Sequence, residues 1–145
     1  MRAISWKSQF MLVLVMAMAG VFAGGAGTAM AAGTKVMLSG TQEVPPVKTS
    51  ASGNGTITVG ANKSISGSVT TSGVAGTMAH IHRAAPGKNG PVLIPLKKTS
   101  DNKWSVPANA KLTDAQYKSY KAGNLYVNVH SKAHPNGELR GQLKP

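Results

Sequence analysis

Beyond residue 32 the chain is a succession of short runs with period-two alternation, broken at close intervals by turn residues. That pattern belongs to a β-sandwich or barrel. It predicts strands over 35–39, 55–59, 64–71, 77–82, 92–95, 103–106, 125–130 and 138–143. The run 125–130 shows the principle. Side chains alternate across a strand, so Leu125, Val127 and Val129 share one face while Tyr126, Asn128 and His130 share the other. Between the runs, Asn54-Gly55, Ala61-Asn62, Asn89-Gly90 and Asn136-Gly137 supply residues tolerant of positive φ. Pro45-Pro46 lacks backbone donors and suits a loop or a sheet edge.

One helix interrupts the strands. Thr113-Asp114-Ala115-Gln116 is a capping box, in which the Thr113 hydroxyl accepts from the Gln116 amide and the Gln116 side chain reaches back. Leu112 and Tyr117 form the matching hydrophobic staple. Lys118 and Lys121 favour the negative end of the helix dipole, and Gly123 ends the helix. The spacing predicts a helix over 114–122 that bridges two strands and lays Tyr117 and Tyr120 on the sheet.

The N-terminus predicts export. Arg2 and Lys7 make a positive n-region, 10–19 is apolar, and 20–32 is a tract of small residues containing Ala29-Met30-Ala31. These read as a signal peptide over 1–31, cleaved after Ala31. The apolar run is shorter than the roughly 20 residues a membrane span needs, so no transmembrane anchor is expected after cleavage. Removing 31 of the 145 residues leaves 114, enough for one domain over 32–145 with a modest core. The destination is the periplasm or the exterior.

The chain has no cysteine, which excludes disulfides, thiolate metal sites and a lipid-anchoring lipobox. Sixteen Lys and Arg stand against four Asp and Glu; Arg2 and Lys7 fall in the leader, so fourteen remain against four, a net charge of +10 for 32–145. Such a surface favours anionic partners, an envelope component above all. The basic residues are scattered, as at Lys35, Lys48, Lys63, Lys88, Lys103 and Lys132, with no cluster interleaved with aromatics. That dispersal and an exported compartment argue against nucleic acid.

All four histidines lie in two segments. In Met78-Ala79-His80-Ile81-His82, a strand would project Met78, His80 and His82 from one face. The second segment ends a strand at His130 and continues to His134. Two or three imidazoles together suit Cu(II) or Zn(II), and a Met ligand tilts the choice toward copper. The bland alternative is a set of histidines hydrogen-bonded at a solvated strand end. No Gly-x-Ser-x-Gly elbow, carboxylate pair or phosphate-binding loop with a following Lys accompanies them. No catalytic residue is assigned.

Four blocks of the sequence resemble the CHRD domain, first recognised in chordin and common as a single copy in exported bacterial proteins. The first is 38–47, with Glu43 and Pro45-Pro46; the second is 79–92, with His80, His82 and Asn89-Gly90-Pro91. The third is 123–130, ending at His130, and the fourth is 135–143, with Asn136-Gly137-Glu138 and Arg140. The resemblance implies an all-β extracellular domain. Asn89-Gly90-Pro91 and Asn136-Gly137 would be turns, with Glu138 and Arg140 tying adjacent strands. The His-x-His strand also looks like the metal-binding strand of copper–zinc superoxide dismutases, although the dismutase cysteines are missing.

The combined reading is an antiparallel β-sandwich or barrel, Greek-key-like, with one short helix. Functionally it is a non-enzymatic module holding copper or zinc through His80, His82 and His130, with His134 or Met78 as a further ligand. The alternative is a structural or interaction module that binds an anionic envelope component or a protein, and a dismutase-like redox enzyme ranks third.

Overall fold

The computed structural model describes residues 31–145; the expected leader over 1–31 lies, apart from Ala31, outside the described residues. Nine strands follow in chain order. They are β1 Thr34–Ser39, β2 Ser52–Val59, β3 Ile65–Ser72, β4 Gly76–Arg83, β5 Val92–Pro95, β6 Lys97–Ser100, β7 Lys103–Ser105, β8 Leu125–Ser131 and β9 Leu139–Leu143. One helix, α1 Asp114–Lys121, connects β7 to β8.

All strands join one sheet in the order β5-β4-β8-β9-β1-β2-β3-β7-β6, with every pairing antiparallel. The two edge strands, β5 and β6, are separated in sequence by Leu96 alone. One edge therefore hands the chain directly to the other, and the sheet curls into a nearly closed barrel. The Leu96 amide donates to the Ala79 carbonyl of β4 at 2.9 Å, and Lys98 Nζ donates to the Gly76 carbonyl at 3.1 Å. Closure also hides sheet edges that would otherwise invite pairing with other chains. Of the two expected architectures, sandwich or barrel, the barrel is the one formed.

Inward side chains from almost every strand build the core, among them Val36, Leu38, Ile57, Val69, Ile81, Trp104, Val127, Val129 and Leu139. Each fully buried Val, Leu or Ile is worth about 1.5–3 kcal/mol, so packing can stabilise a domain with no disulfide. The helix adds to this core. Gln116 N donates to Thr113 Oγ1 at 3.2 Å and Thr113 N donates to Gln116 Oε1 at 2.9 Å, completing the capping box. Tyr120 is buried and its hydroxyl meets the Thr34 hydroxyl at 2.7 Å, while Tyr117 packs on the core from its rim. The helix ends one residue before the expected limit because Ala122 serves as its C-cap.

Two local expectations change. Asn54-Gly55 is not a turn; both residues lie inside β2. A Cβ on Gly55 would sit 2.1 Å from the Ser68 carbonyl oxygen and 2.7 Å from Val69 Cα, so the glycine answers to the close approach of β3. The turn between β2 and β3 is formed by Gly60 to Lys63, where Lys63 takes a φ of 67°. Strand β6 was not expected at all: Lys97-Lys98-Thr99-Ser100 is exposed throughout and carries no apolar alternation.

Candidate metal centre

Strand β8 is buried along its whole length, on both faces. Its inward face is the aliphatic one. Its outward face, Tyr126, Asn128 and His130, is polar and still shielded, because three loops fold over it. The loop after β1 reaches it through Glu43, which accepts from Asn128 Nδ2. The loop between β4 and β5 reaches it through Gly90, whose amide donates to the Tyr126 hydroxyl at 3.2 Å. The loop between β8 and β9 reaches it through Pro135, whose carbonyl oxygen lies 2.8 Å from His130 Nδ1.

The neighbouring strands extend this polar layer in register. His80 stands opposite Asn128 and His82 opposite Tyr126 on the β4 side, with Arg140 opposite Asn128 and Gln142 opposite Tyr126 on the β9 side. Ala79 and Ile81 point into the core, so Met78, His80 and His82 share the outward face, as the alternation predicts. Arg140 stacks on Tyr126 with its guanidinium carbon 3.5 Å from the ring centroid, and Tyr126 stacks on His82 at 4.8 Å with the rings 4° from parallel.

His80, His82 and His130 come together: one ring nitrogen from each lies within 4.8 Å of the other two. Their protonation follows from their partners. A carbonyl oxygen can only accept, so the contact of His82 Nδ1 with Gly90 O, 2.9 Å, places a proton on that Nδ1. The same reasoning places a proton on His130 Nδ1, facing Pro135 O. Both residues therefore carry their lone pair on Nε2. His130 Nε2 accepts from His80 Nδ1 at 3.0 Å, whereas His82 Nε2 is buried with no hydrogen-bond partner.

The electrostatics favour the neutral form of His80 and His82. Burial, and then the neighbouring His130 and His82, hold His80 below the ordinary imidazole range. Burial lowers His82 as well, against the opposing pull of the Gly90 carbonyl. Neutral imidazoles are the form that binds metal. A backbone carbonyl holding the second ring nitrogen is the usual outer support of a metal-bound histidine, fixing tautomer and orientation. His82 and His130 have that support. His80 can join as a third ligand by carrying its proton on Nε2 instead of Nδ1.

The spacing is close to what an ion needs. Three nitrogens about 2.0–2.1 Å from a tetrahedral centre lie roughly 3.3 Å apart, so the widest separation must close by about 1.5 Å. Half-buried His80 provides solvent access.

Other candidates stand outside the triad. Met78 lies opposite His130 and is half exposed. His134 occupies the β8–β9 loop, where its carbonyl accepts from Gly137 N at 3.0 Å and its side chain exerts a charge effect on Glu138. Glu138 does not tie strands to Arg140. It accepts from the Thr49 hydroxyl at 2.7 Å and from the Ser131 hydroxyl, pinning the long loop before β2 to the end of β8. Arg140 turns instead to the β4–β5 loop, donating to Lys88 O at 2.8 Å and Ala85 O at 3.2 Å, and to Gln142 Oε1 at 3.1 Å.

Sequence reasoning put Asn128 on the face of His130 but did not bring Glu43, Arg140 and Gln142 to the same polar layer. Part of it was readable. In Leu139-Arg140-Gly141-Gln142-Leu143 the period-two pattern puts Arg140 and Gln142 on one face.

Fold and site define a class: a small, nearly closed antiparallel barrel whose loop-covered polar face carries three clustered histidines. The chain belongs to the CHRD domain family, which it matches over residues 34–143. No curated protein and no solved structure matches it.

Proposed function

We propose that this protein is an exported binding module that holds a transition metal, copper in preference to zinc, through His80, His82 and His130. The observation that carries the reading is the His82 Nε2 lone pair, buried without a partner beside the His80–His130 pair. A buried polar atom left unpaired costs about 1–3 kcal/mol, and an ion would satisfy it. Three imidazoles with a position left open for solvent or a further ligand suit Cu(II) or Zn(II). Export rests on the n-region, apolar core and Ala29-Met30-Ala31 of the leader. No helix of the described residues is long and apolar enough to cross a membrane.

Calorimetric titration of the chelator-stripped protein with Cu(II), and separately with Zn(II), tests the reading. One ion per chain is expected, with binding abolished in the His80→Ala/His82→Ala variant. Equal binding by parent and variant would remove the triad from the account. The favoured reading would then be recognition of an anionic envelope component by the basic surface, where β6 and β7 expose Lys97, Lys98 and Lys103. Such binding would weaken between low and physiological salt.

A further inference from the structure

We propose that Met78 is an oxidation-state-selective ligand, its thioether joining the histidines when the bound copper is Cu(I) and standing aside when it is Cu(II). The inference rests on the metal reading of His80, His82 and His130.

Position singles out this methionine. Met78 is the residue directly opposite His130 across the β4–β8 pair, and it precedes His80 by two on the same strand. Directly opposed residues have Cβ atoms about 4.5–5.5 Å apart, within reach of a side chain with three rotatable bonds. Because Ala79 and Ile81 fill the core, Met78 shares the outward face with His80 and His82. It is 50% exposed, beside half-buried His80, where the histidine group opens to solvent. An isolated exposed apolar residue needs no explanation. A flexible thioether beside three convergent imidazoles offers a fourth donor where they leave a position open.

The chemistry assigns that donor to one oxidation state. Thioether sulfur is soft and selects Cu(I), whereas imidazole serves Cu(II) and Zn(II) without it. Three histidines alone would hold Cu(II) and Zn(II). Addition of Met78 would stabilise Cu(I) relative to Cu(II) and so raise the potential of the bound couple.

The test is Met78→Leu, which keeps the size and apolar character of an exposed side chain and deletes the sulfur. Cu(I) affinity is measured anaerobically by competition with a chromophoric chelator, and Cu(II) and Zn(II) affinities by calorimetry. The variant should bind Cu(I) about tenfold more weakly with Cu(II) and Zn(II) unchanged, lowering the copper potential by about 59 mV. Unchanged Cu(I) affinity would overturn the proposal, as would an equal loss for all three ions, which would make Met78 a packing residue. A parent protein that binds none of the ions would overturn the histidine reading itself, an outcome distinct from either.

Discussion

Replacing Arg140 by methionine should destabilise the domain by about 3–5 kcal/mol, seen as a lower urea midpoint, although the two side chains have comparable reach. Arg140 is only 1% exposed and stacks on Tyr126. It donates to the carbonyls of Lys88 and Ala85 and to Gln142 Oε1. Methionine would leave these acceptors unpaired and would deprive buried Glu43 of the positive charge that favours its ionised form. The damage should reach the histidines. The loop that Arg140 anchors carries Gly90, whose carbonyl orients His82, so metal affinity should fall as well. An Arg140→Met protein as stable as its parent would show that the β4–β5 loop is held by other means.

Glu43→Gln should change how stability depends on pH. Burial pushes the Glu43 carboxyl up to about 7 from an ordinary 4.5, a rise that Arg140 and the Asn128 amide only partly oppose. With the folded value above the unfolded one, the contribution of Glu43 is fully present below about 4.5 and is lost as pH rises through about 7. At roughly 1.36 kcal/mol per pKa unit, as much as about 3 kcal/mol separates the two limits. Urea unfolding at pH 5 and pH 8 should therefore find the variant close to its parent at pH 5 and more stable at pH 8. His80 and His82, held low by burial, titrate in the opposite sense, being destabilising when protonated. The comparison is accordingly between variant and parent at each pH. The same difference at both pH values would contradict a buried acid at this position.

The helix was legible because a capping box is local chemistry, complete within Thr113 to Gln116. The two faces of β8 were legible because alternation is fixed by strand geometry. What the alternation left open was depth: it put Tyr126, Asn128 and His130 on one face, and three loops bury that face. Loop coverage depends on contacts between distant segments, such as Glu43 with Asn128, which no spacing encodes. The same limit applies to the site. His-x-His named two of its members, but the approach of His130 depends on β4 pairing with β8 across 50 residues of sequence. Gly55 shows a local signal overridden: Asn-Gly favours a turn, yet a neighbouring strand passes too close for any side chain there. Strand β6 gave no signal because an exposed edge strand has no face to bury.

Electron paramagnetic resonance of the protein loaded with one equivalent of Cu(II) tests the metal centre most directly, because the spectrum counts the nitrogens around the ion. Coupling to three imidazole nitrogens is expected, with one fewer in each of His80→Ala, His82→Ala and His130→Ala. A parent spectrum left unchanged by all three substitutions would place the copper elsewhere and contradict the account.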